Sequence, residues 1–354
     1  MAFSKENRNG TMAGIIFVAI FAAAATMVSD ISAVKALGIS PLVIGIVMGI
    51  FYANTLHNQT PSEWATGITF SGKKILRFAI VFYGFRITFQ QITEVGMDGF
   101  LVSLIMLSTT FILGTWSGFK FFGMEKDTSM LIASGASVCG AAAVLATEPV
   151  LKAEEHKTAI AVSMVVLFGT ISMFLYPVLY SAIIEPATGF LHMSPREFGI
   201  YVGGTIHEVA QVVAVPASVA GAPEDMANSA VIVKMTRVIM IAPMLIVLGI
   251  YLSYSAKKTG GESSAVKLVI PWFAVYFVGM AGFNSLALVP QDIVNVINEI
   301  DTFLLTMAMT ALGMGTIFSK FKGLGLAPLY TAGAMFIWLV IGGFIVTKTV
   351  VAIF

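Results

Sequence analysis

Residues 199–216 read GIYVGGTIHEVAQVVAVP, and this stretch decides the fold. It sets His207, Glu208 and Gln211 beside Gly203, Gly204 and Thr205 in a segment otherwise apolar enough to lie in lipid. Ionisable groups in such a segment are costly and usually face a protein cavity. His207 and Gln211 are four residues apart and share a helical face, whereas Glu208 points about 100° away. A lone polar residue is explained by packing; three within one turn argue for a site.

The surroundings confirm the solvent. Across 354 residues, 57% are hydrophobic and only 11% charged, against roughly a quarter charged in soluble domains. Spans of about 20 apolar residues are expected near 11–29, 41–56, 72–89, 99–122, 128–147, 157–184, 197–216, 226–254, 266–288, 302–319 and 326–353. The reading is an all-α polytopic membrane protein of about eleven transmembrane helices, forming a single transport domain over residues 1–354. The basic start MAFSKENRNG resembles a signal peptide, but the following run is long enough to span, and it reads as a retained first helix.

Loop charges give orientation, because cytoplasmic loops hold the excess of Lys and Arg. Alternation from a cytoplasmic N-terminus puts Lys5, Arg8, Lys73, Lys74, Arg77, Lys120, Lys126, Arg196, Lys257, Lys258, Lys267, Lys320 and Lys322 inside, and only Lys35, Lys152 and Lys157 outside. The C-terminus is then expected outside. A net charge of +1 provides no field for nucleic acid. The single Cys139 excludes an intramolecular disulfide framework and a Cys-based zinc cluster.

Segments of about 73–122 and 302–351 match at an offset of 229, which lays Gly84 on Gly313, Gly96 on Gly325 and Gly114 on Gly343. An odd difference in span number makes the copies antiparallel, as in the inverted repeats of secondary transporters. A weaker match at offset 69 sets SGASVCGAAAV (134–144) on GGTIHEVAQVV (203–213). By simple counting these two segments run parallel, unless one is re-entrant.

In the first of them, Ser134, Gly135, Ser137, Cys139 and Gly140 interrupt an apolar helix; close packing of small residues is the plain explanation. A helix break lining a cavity is the sharper one, since it exposes N–H groups and a dipole end to an anion. VIVKMTRVIMIAP (231–243) carries Lys234 and Arg237 three apart on one face, either snorkelling or forming a fixed positive site in which Arg237 can grip an oxyanion. Arg86 is either a snorkelling cation or, the preferred reading, a vestibule residue. His-Glu-x-x-Gln also resembles the zincin helix, but Gln211 replaces the second His ligand, and neither a metal nor a cofactor is expected.

KILRFAIVFYGFRITFQQI (74–92), SGASVCGAAAV, GGTIHEVAQVVA, VKMTRVIMIAP and LTMAMTALGMGT (305–316) together resemble the YeiH-type sulfate exporter family of bacterial inner-membrane proteins. The resemblance implies an inner-membrane carrier of sulfate or related sulfur oxyanions. Through a distant likeness to bile-acid/sodium symporters, it also implies inverted repeats with two interrupted helices crossing at mid-membrane. It points to Ser137, Cys139 and Gly140 in one interruption and to His207, Glu208 and Gln211 in the other. The first motif differs from the family form at Val138 and over 141–143.

The functional expectation is a secondary transporter of a small anion, not an enzyme. Substrate contacts are expected from Ser137, Cys139, Gly140, Gly204, Thr205, His207, Gln211, Lys234 and Arg237, and proton coupling from His207 and Glu208. The alternatives are a sodium-coupled or exchange carrier for an organic anion and, from another class, an intramembrane enzyme. Expected partners are the anion, the bilayer and a coupling proton or sodium ion, with homo-oligomers allowed.

Overall fold

The computed structural model describes residues 7–32, 34, 40–56, 61–258, 271–321 and 325–353. Lys5, Lys35, Lys267, Lys322 and Phe354 lie outside the described residues, as does part of the span expected at 266–288.

Among the described residues every regular element is helical. They are α1 (Arg8–Ser29), α2 (Pro41–Thr55), α3 (Ala65–Phe70), α4 (Leu76–Tyr83), α5 (Phe89–Lys120), α6 (Lys126–Ser137), α7 (Ala141–Leu151) and α8 (Glu155–Leu179). There follow α9 (Pro195–Thr205), α10 (Val209–Ala217), α11 (Glu224–Ile239), α12 (Ile241–Lys258), α13 (Trp272–Ser285), α14 (Gln291–Gly315), α15 (Leu326–Ile337) and α16 (Gly343–Ile353). π-Helical turns at Ser71–Ile75 and Trp338–Gly342 join α3 to α4 and α15 to α16. Among the described residues, six helical stretches are long and apolar enough to cross a membrane: Arg8–Ser29, Phe89–Lys120, His156–Ile184, Glu224–Tyr254, Gln291–Gly315 and Leu326–Ile353.

The chain forms two compact units. One comprises Met1–Ile92, Val213–Pro223 and Phe273–Ser319. In it, the small-xxx-small pairs Gly10/Gly14 and Gly45/Gly49 let backbones touch, the usual means of joining helices where lipid removes the hydrophobic drive. A methyl at Gly49 would sit 2.9 Å from Met314 N, and one at Gly14 2.9 Å from Gly67 Cα. Arg86 donates to Thr302 Oγ1 at 2.7 Å and to the Asn298 carbonyl at 2.5 Å, and pairs with buried Asp301 at 3.4 Å.

The other unit comprises Thr93–Val212, Glu224–Trp272 and Lys320–Phe354. Here the segment expected as a crossing helix at 128–147 proves to be a hairpin, and so does the one at 197–216, whose residues from Val213 onward belong to the first unit. A straight helix from Asp127 to Leu151 would be about 36 Å long. Yet Lys157, just past Leu151, pairs with Asp127 at 2.7 Å and with Glu125. Near the turn, a methyl on Gly135 would lie 2.7 Å from Val144. The second hairpin follows from register. Methyls on Gly199 and Gly203 would lie 2.9 Å from Ser229 Cβ and 2.8 Å from Val233 Cβ, so α9 and α11 run parallel. Two helices that run parallel in sequence require the chain between them to double back.

The segment Leu326–Ile353 shows that the hairpins enter from opposite ends. Its start runs beside α6: a methyl on Gly118 would lie 3.0 Å from Thr331 Cγ2 and 3.0 Å from Ser129 Cβ, and one on Gly114 would strike Met335 Sδ and lie 3.0 Å from Ala133 Cβ. Its far end runs antiparallel to α9, with Lys348 3.3 Å from Glu197 and Tyr201 donating to the Val340 carbonyl at 2.8 Å.

Candidate functional site

The hairpin turns lie at 138–140 and 206–208, in register at offset 69 to within one residue. Gly140 sits at φ 77, a region suited to glycine. A Cβ there would also strike Glu208 Cγ. Each hairpin presents to the other the C-terminus of its first arm and the N-terminus of its second. First-arm carbonyls at such ends lack intrahelical donors, and the aligned peptides leave roughly half a negative charge there.

Lys234 and Arg237 of α11, both fully buried, meet that need. Lys234 Nζ donates to the carbonyls of Val138, Ile206 and His207, each at 2.7 Å. Arg237 donates from Nε to Ser137 O at 2.5 Å, from Nη2 to Ala136 O at 2.7 Å, and from Nη1 to Gly204 O at 2.8 Å and Ile206 O at 3.4 Å. Neither cation snorkels. An unpaired buried ion costs several kcal/mol, and charge-assisted hydrogen bonds of about 1.5–3 kcal/mol each offset it. The two side chains thereby tie the hairpin tips together.

At the N-terminal ends the arrangement inverts. Glu208, half-buried, brings Oε1 to 3.4 Å from Ala141 N at the start of α7, where a carboxylate suits the dipole. Its own N–H donates to Gln211 Oε1 at 3.1 Å, half of a capping box for α10. Two buried polar atoms here have no hydrogen-bond partner among the described residues: His207 Nδ1 and Gln211 Nε2. Thr205 Oγ1 donates to Tyr201 O at 2.6 Å and accepts from Tyr176 at 3.0 Å; Ser137 Oγ turns back to Ser134 O at 3.2 Å.

The expected residues Ser137, Cys139, Gly140, Gly204, Thr205, His207, Glu208, Gln211, Lys234 and Arg237 thus all sit at or against the two tips. Sequence reasoning missed the stacked, buried Tyr176 and Tyr201, whose rings lie 4.9 Å apart behind Thr205. It also missed the role of main-chain carbonyls. Tyr201 in GIYVGG was the available signal: a buried phenol needs a partner.

A hairpin-tip centre with its own cations, carboxylate and unsatisfied polar atoms is built by the same motifs that carried the resemblance. The family described as Conserved hypothetical protein 698 matches residues 13–332. The chain belongs to the UPF0324 family of membrane proteins. It is 45% identical over 335 residues to a UPF0324 membrane protein of Bordetella pertussis, covering 95% of this chain and 94% of the relative. It is 44% identical over 330 residues to the UPF0324 inner membrane protein YeiH of Escherichia coli K12, covering 93% and 91%. A Bacteroides thetaiotaomicron UPF0324 membrane protein is 42% identical over 340 residues, covering 95% and 97%. No solved structure matches the chain.

Proposed function

We propose that this UPF0324 protein is a secondary carrier of a small anion in the bacterial inner membrane, with sulfate or a related sulfur oxyanion as the first candidates. One observation carries the reading: two opposed hairpins meet around Lys234, Arg237 and Glu208. The dipole ends of the four arms roughly cancel, so two cations against one carboxylate leave the centre one positive charge in excess. Such a centre favours an anion. His207 Nδ1 and Gln211 Nε2 supply neutral contacts that need no rearrangement of the cations.

In this reading the hairpins are re-entrant, the other nine segments cross, and the 73–122 and 302–351 copies form an inverted repeat. The offset-matched glycines support the last point: Gly96 and Gly325 share positive φ, and Gly84 and Gly313 both press against neighbouring backbone. Glu208 occupies an N-terminal dipole end that an incoming anion would also seek. Bound substrate repels that carboxylate, and taking up a proton relieves the repulsion, which couples anion to proton.

Counterflow and pH-driven uptake of labelled sulfate, sulfite and a small organic sulfonate into proteoliposomes test this. Wild type shows saturable counterflow of at least one of these anions. Glu208→Gln keeps exchange but loses proton-driven accumulation. Non-saturable flux, or absence of flux for every anion, defeats the carrier reading; an unchanged pH profile in Glu208→Gln removes Glu208 from coupling.

A further inference from the structure

The three acceptors around Lys234 form a kind of site usually associated with a metal ion. Carbonyl oxygens of Val138, Ile206 and His207 converge on Nζ, each at 2.7 Å, in a fully buried position. Carbonyls only accept, so three of them require three N–H donors and therefore the ammonium form. All three belong to the ends of broken helices, the groups that coordinate the coupling cation in carriers built on discontinuous helices.

We propose that Lys234 is a built-in occupant of a monovalent-cation site, so that anion transport by this protein requires no bound metal cation. The oxygens are spaced for an ammonium, which suits K+ or NH4+ better than the smaller Na+. Arg237 reinforces the arrangement by donating to the preceding carbonyls of both first arms, those of Ala136, Ser137 and Gly204. The first-arm carbonyls are thereby held by cations that belong to the chain, a task a coupling ion performs only while bound. The site stands on geometry alone; its consequence for transport rests on the carrier reading above.

Removing the ammonium should open the site to a free cation. Purified wild type, Lys234→Ala and Lys234→Gln are melted in choline, sodium, potassium and ammonium chlorides at equal ionic strength. Lys234→Ala should melt below wild type in choline and rise saturably by a few degrees in K+ or NH4+, as expected for a ligand that binds only the folded state. Wild type should be indifferent to cation identity. So should Lys234→Gln, whose amide fills the space without the charge. An equal midpoint for Lys234→Ala in choline, K+ and NH4+ overturns the proposal. If Lys234→Ala cannot be purified folded, wild-type anion uptake in choline, Na+ and K+ decides: equal rates support it, and a requirement for Na+ overturns it. Cation-specific stabilisation of Lys234→Ala without any wild-type anion flux would defeat the carrier reading and leave the cation site standing.

Discussion

At the residue scale the hairpin tips depend on Gly140 more than on any hydroxyl. Its backbone, φ 77 and ψ −139, lies close to the region only glycine populates freely, and Glu208 occupies the space a Cβ would need. Gly140→Ala therefore carries a backbone penalty of order 1–3 kcal/mol as well as a displaced carboxylate. The expected result is a midpoint several degrees lower in a thermal melt, with anion counterflow lost more completely than folding. Gly279→Ala is the control: it lies within α13, a Cβ there meets nothing within 4 Å, and the melt should be unchanged or slightly raised. Equal melts for the two variants would mean that the tip relaxes freely. Ser137 and Thr205, by contrast, donate their hydroxyl protons to carbonyls of their own helices.

At the scale of elements, the decisive feature is that two segments turn back. Glycine and small residues at 134–140 and 203–204 make both breaks legible, and the offset-69 match pairs them. A break, however, looks the same in sequence whether the second arm continues forward or reverses. The reversal depends on contacts between positions far apart, such as Lys157 with Asp127. It also moves the loops: 152–157 joins the side that holds Lys120 and Lys126, and Arg196 passes to the other. With Cys139 the sole cysteine and buried, single-cysteine labelling is direct. In spheroplasts of the bacterial host, Lys152→Cys should resist a membrane-impermeant maleimide until the membrane is opened, and His192→Cys should react at once. The reverse pattern would restore two crossing helices.

For the whole molecule, the hairpins sharpen the charge asymmetry. Moving Lys152 and Lys157 inside and Arg196 outside turns the split of thirteen to three into fourteen to two, the direction that loop charges favour. Two hairpins leave parity untouched, so the orientation we propose, with the N-terminus cytoplasmic and the C-terminus external, is unchanged by them. A phosphatase active only in the periplasm should be active when fused after Phe354, and a reporter that fluoresces only in the cytoplasm should be dark there. Fluorescence would mean that an odd number of the eleven segments fails to cross.

The sequence by itself determined that the chain is helical and lipid-facing, and which polar residues interrupt its apolar segments. Composition, length of apolar runs and spacing are local properties, and they mark His207, Glu208, Gln211, Lys234 and Arg237 without reference to any neighbour. Only tertiary structure decided what those residues do to one another. Lys234 and Arg237 have no partner on their own helix, and the carbonyls they hold leave no trace in the side-chain sequence, because every residue carries one. Whether a carbonyl is free depends on where its helix ends and what then faces it, and both are set by the packing of two hairpins more than 60 residues apart in the chain.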